Sequence, residues 1–258
     1  MSTSPFSLQG KTGIVTGLAN ADSIAYGCAR AMHQAGAELL LTYGNAKADQ
    51  YVRPLAAELG DSEALLCDVR DDAQVAALFE RAATRWGKID FLIHSMAFAL
   101  KDDLHGRVVD CSREGFALAM DISCHSFIRL ARHAEPLLKD GGTLITLSYY
   151  GAEKVVDNYN LMGPVKAALE SSVRYMAAEL GPQGIRVHAI SPGPIKTRAA
   201  SGIADFDRLL ASAESRAPLR RLATIDDVGR TAVFLASEAG SGLTGGTLYV
   251  DAGVNVRA

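Results

Sequence analysis

The sequence predicts an α/β fold: one doubly wound, parallel sheet of seven strands with helices on both faces. Three observations carry that prediction. Short apolar runs alternate with stretches of helical periodicity along all 258 residues. Those runs are apolar throughout rather than every second residue, as strands covered on both faces are. Small and polar residues gather just after them, as at Gly17, Ser95, Ser148 and Pro192-Gly193-Pro194, and in open parallel sheets ligands bind at the carboxyl ends of the strands.

In order, Thr12 to Thr16 reads as the first strand, and a helix follows from about Ser23 to Gly36. Glu38 to Tyr43 is the second strand, with a helix over about Lys47 to Leu59. Ala64 to Val69 is the third, followed by a helix over Asp72 to Trp86. Asp90 to His94 is the fourth, and two helical stretches then run to about Leu138. The fifth strand is Thr143 to Leu147. The helix after it buries Val165, Leu169, Val173, Met176 and Leu180 along one face. Ile185 to Ile190 is the sixth strand, and Asp205 to Arg216 reads as a helix. Thr224-Ile-Asp-Asp227 resembles a capping box opening one more helix before the last strand, Gly246 to Asp251. No linker, repeat or shift in composition divides the chain, so residues 1–258 read as a single domain.

Composition narrows the function classes. Net charge is −3 with both signs interspersed, and no basic run carries interleaved aromatics, which argues against a nucleic-acid partner or an anionic membrane. The first residues hold no cationic run followed by an apolar one, and no stretch reaches the ~18 apolar residues of a membrane span. Cys28, Cys67, Cys111 and Cys124 are widely spaced, so reduced thiols are expected. The six histidines show no ligand spacing, and no metal is expected. A cytoplasmic protein is the expectation.

Tyr159 and Lys166 stand seven residues apart. On one continuous helix, seven steps of about 100° make nearly two turns, and the two side chains would share a face about 10 Å apart along the axis. Pro164 prefers a first helical turn, which leaves open that Tyr159 stands at the helix entrance. A nearby ammonium favours a phenolate and eases release of its proton; the bland alternative is a packing tyrosine and a solvated lysine. The first turn, Gly17 to Ala25, keeps one glycine of the usual dinucleotide loop. Ser23 could there cap the helix and contact a phosphate.

Gly17-x5-Ser23-x-Ala25, Cys67-Asp68-Val69, Asp121-Ile-Ser123 and Tyr149-x9-Tyr159-x6-Lys166 together resemble the enoyl-acyl-carrier-protein reductases of bacterial type II fatty-acid synthesis. These are divergent short-chain dehydrogenase/reductases on a Rossmann-type sheet. Ser191-Pro-Gly-Pro-Ile195-Lys-Thr197 and Val250-Asp-Ala-Gly253 fit the same pattern, so the likeness spans nearly the whole chain. Most members of the wider superfamily space tyrosine and lysine as Tyr-x3-Lys, whereas here Met162 precedes Lys166 by four. Ala97 and Pro192 depart from residues common in the resembled family, and neither removes a chemical group.

The resemblance implies roles. Tyr159 would hydrogen-bond the thioester carbonyl, Lys166 would hold the nicotinamide ribose, and Tyr149 would stand in the acyl pocket with Ala99 touching substrate. Gly17, Ser23, Ile24, Ser95 and Met96 would line the cofactor, with Asp68 and Val69 at the adenine. Ile195, Lys196, Thr197, Arg198 and Ala199 would cover the nicotinamide side. Residues 197–216 would form a lid over the acyl chain; a surface loop is the plain alternative. Acyl-carrier protein would be the partner, and the assembly a homotetramer.

An acid ending the second strand would bind a ribose 2′-hydroxyl and repel a 2′-phosphate. Thr42-Tyr43-Gly44-Asn45-Ala46-Lys47 carries no acid and only one cation, and Gly44 could border the adenosine ribose. The likeness favours NADH, with NADPH possible. Ser148 reads equally as a helper serine or a solvated strand end. Two rival readings stand beside the enoyl reductase: a β-ketoacyl or other carbonyl reductase, and a non-catalytic nucleotide-binding protein on the same scaffold.

Overall fold

The computed structural model describes residues 4–60, 62–197 and 200–257. Its seven strands are β1 (Thr12–Thr16), β2 (Glu38–Tyr43), β3 (Glu63–Leu66), β4 (Phe91–His94), β5 (Gly142–Leu147), β6 (Ile185–Pro192) and β7 (Thr247–Val250). They form one sheet in the order β3-β2-β1-β4-β5-β6-β7, and every pairing is parallel. The chain runs outward from β1 to β3 and then returns to place β4 on the other side of β1. That reversal opens a crevice at the carboxyl ends of β1 and β4.

Because successive side chains point to opposite faces, the apolar strands feed two cores. Ile14, Leu92 and Leu144 pack under α3 (Asp72–Trp86), α6 (Ser126–Ala134) and α7 (Met162–Leu180). Val15, Ile93 and Ile145 pack on the other face under α1 (Ile24–Gln34), α2 (Asp49–Glu58) and α9 (Ile225–Ala236). Helices α1 and α9 meet almost backbone to backbone. A Cβ on Gly27 would stand 2.5 Å from the Ile225 carbonyl oxygen, and one on Gly229 would stand 2.4 Å from that of Gly27. The expected capping box is present: Thr224 Oγ1 accepts from Asp227 N, and the Asp227 carboxylate accepts from Thr224 N.

One expectation needs correction, and two are made specific. The third strand ends at Leu66, not Val69, because its only neighbour β2 stops at Tyr43, the partner of Leu66. The two helical stretches after β4 become a short α4 (Lys101–His105) and a near-continuous rod. In that rod α5 (Arg113–Met120) passes through a π turn, Asp121–His125, into α6. Of the two placements left open for Tyr159, the helix entrance is the one observed: α7 begins at Met162, with Pro164 in its first turn, where a missing N–H costs nothing. The helix expected over Asp205 to Arg216 is α8 (Phe206–Arg216).

Candidate active site

A cleft of about 1140 Å³, open mouth included, lies outside the carboxyl ends of β1, β4, β5 and β6. Gly17 leaves β1 at φ 88°, and a Cβ there would stand 2.1 Å from the Ser95 carbonyl oxygen and 2.9 Å from Met96 Cγ. Only glycine lets the turns after β1 and β4 touch. Ser23 caps α1 by accepting from Tyr26 N, while its own hydroxyl proton goes to the Asn20 carbonyl at 2.7 Å. Tyr26 N and Gly27 N donate to the Ser23 carbonyl, and the positive end of the α1 dipole lies beside the cleft at Ser23 and Ile24, an end that favours anions. Ile24, Ser95 and Met96 line the same wall.

Lys166 lies in the second turn of α7, almost fully buried, with Nζ donating to the Leu147 carbonyl at 2.7 Å. Burial lowers its pKa to about 8. Tyr159 stands on the turn before α7, where Tyr159 N donates to Val156 O and Met162 N donates to Tyr159 O. Its ring meets Tyr149 edge-on, with centroids 4.7 Å apart. Burial, then the neighbouring Tyr149 and Glu170, raises the phenol pKa well above its ordinary value. Tyr149 is likewise pushed up to about 12 by burial. In this fold burial therefore raises the Tyr159 phenol pKa, the direction opposite to the one a neighbouring ammonium alone would give. Desolvation disfavours the charged form of each group, raising the Tyr159 phenol and lowering the Lys166 ammonium. Tyr159 stays a neutral hydrogen-bond donor.

Two supporting groups take their roles from the fold: Ser123, of the motif Asp121-Ile-Ser123, and Glu170, which no motif marks. Ser123, in the π turn, grips the turn after β4 from both sides: Phe98 N donates to its Oγ at 2.9 Å, and its hydroxyl donates to Phe98 O at 3.1 Å. Glu170 is buried on α7 and accepts from Ser148 Oγ; burial raises its carboxyl pKa. It follows Lys166 by four residues, so helical periodicity could have flagged it. Ser148 is thus tied to Glu170 rather than solvated. His94 forms a fixed part of the core, bonded at 2.8 Å to both Thr146 Oγ1 and Ser126 Oγ, with burial lowering its pKa to about 3.

The far end of the cleft is apolar. Ala99, Leu104, Ile203, Phe206 and Leu209 face Tyr149 and Tyr159 across it. Leu104, Phe206 and Leu209 carry no motif, and only the tertiary fold brings them here. Ile195 and Thr197 line the rim, Lys196 is exposed beside them, and Arg198 and Ala199 lie outside the described residues.

Gly44, Asp68 and Val69 stand outside this cleft, at the carboxyl ends of β2 and β3 on the same edge of the sheet. Arg70 forks onto the Asp68 carboxylate, with Nε 3.0 and 3.1 Å from its two oxygens, and holds its pKa below the usual range. The Val69 carbonyl accepts from Arg129. An acid does approach the end of β2 through space. Asp49 opens α2 and accepts from the Tyr43 hydroxyl and, at 2.6 Å, from Arg53 Nε.

The sequence model described as Enoyl-(Acyl carrier protein) reductase matches residues 17–255. The chain belongs to this family. An enoyl-[acyl-carrier-protein] reductase [NADH] of Rhizobium meliloti is 51% identical over 246 residues, 95% of this chain and 90% of that protein. The Escherichia coli enzyme of the same description is 48% identical over 97% of this chain and 96% of its own length. Among solved structures, the Anaplasma phagocytophilum reductase in complex with NAD superposes with TM-score 0.93. It is 49% identical and covers 96% of this chain and 95% of its own. The Bacillus cereus reductase, solved with NADP⁺ and an indole naphthyridinone, gives TM-score 0.95 at 48% identity, covering 97% and 98%.

Proposed function

We propose that this enoyl reductase reduces the trans-2 double bond of enoyl-acyl-carrier-protein thioesters with NADH, in the fatty-acid elongation cycle. The observation that carries the proposal is a buried Tyr159 phenol lining, together with Lys166, a cleft whose far end is apolar. The residues fit the dinucleotide: Gly17 lets the turns after β1 and β4 close against each other beside the cleft, and the N-terminus of α1 at Ser23 and Ile24 borders the same cleft. Ser23, Ile24, Ser95, Met96, Ile195 and Thr197 would hold its nicotinamide half. Gly44, Asp68 and Val69 would border the adenosine, and Lys196, Arg198 and Ala199 belong to the same proposal. Bound there, the nicotinamide supplies a hydride to the β-carbon of the thioester.

The chain's own residues do the rest. Tyr159 donates to the thioester carbonyl oxygen and stabilises the enolate that forms, a contribution of about 3–4 kcal/mol for a well-placed donor. Because burial keeps the phenol protonated, that donor is present before the charge develops. The enolate then collapses to the thioester carbonyl as its α-carbon takes a proton supplied by solvent, and the product is saturated. Lys166, held by the Leu147 carbonyl, would donate its remaining N–H groups to the ribose hydroxyls. Tyr149 packs on the edge of Tyr159 and walls the acyl pocket with Ala99. Residues 197–216 close over the acyl chain and exclude water. The whole chain works as one reductase domain, a homotetramer in the cytoplasm taking substrate from acyl-carrier protein. Light scattering and fractionation test assembly and location.

The decisive assay follows nicotinamide absorbance with crotonyl thioester and each cofactor, against a β-ketoacyl thioester of equal length. A faster enoyl reaction is expected. A ketone turned over faster would overturn the activity while leaving the fold intact.

A further inference from the structure

Tyr159 is flanked on both sides by backbone that L-residues avoid. Asn158 has φ 63° and Asn160 has φ 42°. Asparagine tolerates this left-handed region better than other residues with a side chain, because its short amide can bond locally. Neither amide bonds locally here. Asn158 Nδ2 donates to the Ala204 carbonyl at 3.2 Å, and Asn160 Nδ2 donates to the Leu104 carbonyl at 2.8 Å. Both partners are carbonyls, which only accept, so each asparagine must present its amino end.

The two acceptors belong to the apolar end of the cleft. Leu104 lies in α4 and lines the pocket, while Ala204 sits between the pocket residues Ile203 and Phe206. Asp205, the next residue, is itself left-handed at φ 53° where α8 begins. His105 Nε2 bonds the Gly202 carbonyl at 2.7 Å, joining α4 to the same segment. The tyrosine turn, α4 and the entrance to α8 are thus tied in a ring around the pocket. Paired backbone outliers next to a reacting group persist only where the surroundings over-determine them.

We propose that Asn158 and Asn160 are positioning residues: Asn160 aims the Tyr159 phenol, and Asn158 couples that phenol to the segment covering the acyl chain. This deepens the enoyl-reductase reading and rests on it. Each asparagine combines two properties, left-handed tolerance and amide donation. Neither touches the proposed cofactor wall, so their loss should reach substrate turnover and not cofactor binding.

Four variants separate the properties. Asn158→Gly and Asn160→Gly keep the backbone freedom and lose the donor; Asn158→Asp and Asn160→Asp keep the shape and replace donor with acceptor. Each is assayed with crotonyl and dodecenoyl thioesters, with NADH affinity by fluorescence titration and Tm as further readouts. For Asn160→Gly, kcat should fall about tenfold with both substrates, while NADH affinity stays within about twofold of wild type. For Asn158→Gly, KM should rise more for the dodecenoyl than for the crotonyl substrate. The aspartates should match or exceed these losses. Wild-type kcat and KM in both glycine variants would overturn the inference. So would NADH affinity and Tm falling in step with kcat, because that marks a merely structural role. A wild-type enzyme that reduces no enoyl thioester would instead overturn the activity beneath it.

Discussion

The two ends of the sheet edge treat charge in opposite ways. At the carboxyl ends of β2 and β3, charges are partly exposed and closed into local pairs, Asp68 with Arg70 and Asp49 with Arg53. Such pairs are screened by water and contribute little, with a median near 0–1 kcal/mol. At the ends of β4 and β5, Tyr159, Lys166 and Glu170 are buried, and burial moves each toward its neutral form. The first region offers a ligand shape and backbone rather than free charge; the second holds titratable groups that burial has moved from their ordinary pKa values. Strongly shifted groups gathered in a cleft mark a functional site, whereas paired surface charges do not.

The largest expected effect tests the buried end. Tyr159→Phe keeps the ring, its packing on Tyr149 and the apolar wall, and removes only the donor. Turnover of the enoyl thioester should fall by about 10²-fold or more, with NADH affinity little changed. Steady-state kinetics on variant and wild type read this directly. Near-wild-type kcat would mean that charge on the carbonyl oxygen is stabilised elsewhere, with Tyr149 the first candidate.

Lys166→Ala comes next. A hydrogen bond from a charged group is worth about 1.5–3 kcal/mol, so NADH affinity should weaken by about 10- to 10²-fold, and turnover should slow. The pH dependence has a defined sign. The folded pKa of about 8 lies below the ordinary 10.5 of lysine, so the protonated form is the one burial disfavours. As pH rises through about 8, the ammonium is lost and NADH binding should weaken. Over the same rise the free protein should gain stability, up to about pH 10.5, because folding no longer confines a charge. Parallel pH series of NADH titration and thermal melting check it. Affinity and stability moving together would show that another group controls the profile.

This contrast also explains what sequence could and could not reveal. β1, β2 and α3 fall where periodicity puts them, because apolar runs with clear breaks are decided locally. Periodicity overextends β3 because a strand's end depends on its neighbour, here Tyr43 of β2. The direction of the Tyr159 shift is hidden from spacing for a related reason. Spacing reports that an ammonium is near, but only the fold reports how much water has been removed. Leu104, Phe206 and Leu209 converge from separate segments with no local pattern at all. The Asn158 and Asn160 pins stood in the tyrosine stretch, yet only φ angles and their distant acceptors distinguish them from ordinary loop asparagines.

The smallest effect belongs to the exposed end and concerns the choice between nicotinamide cofactors. Asp49 approaches the end of β2, yet its carboxylate is already engaged by Tyr43 and Arg53, and Arg53 also balances its charge. It therefore repels a 2′-phosphate weakly. Gly44 has open space around its Cβ position and offers no side chain for either cofactor to meet. Among the described residues Lys47 is a nearby cation, on the turn after β2, and one lysine gives a 2′-phosphate none of the two-pronged grip of an arginine. Recognition this permissive should favour NADH over NADPH by only about tenfold in kcat/KM, or about 1.4 kcal/mol. Placing a new acid beside the ribose should sharpen it: Gly44→Asp is expected to cut the NADPH reaction several-fold further while sparing NADH. Competition kinetics with both cofactors measure the ratio. A preference for NADPH in the wild type would point to Lys47 as the phosphate's partner, and Lys47→Ala should then reverse it.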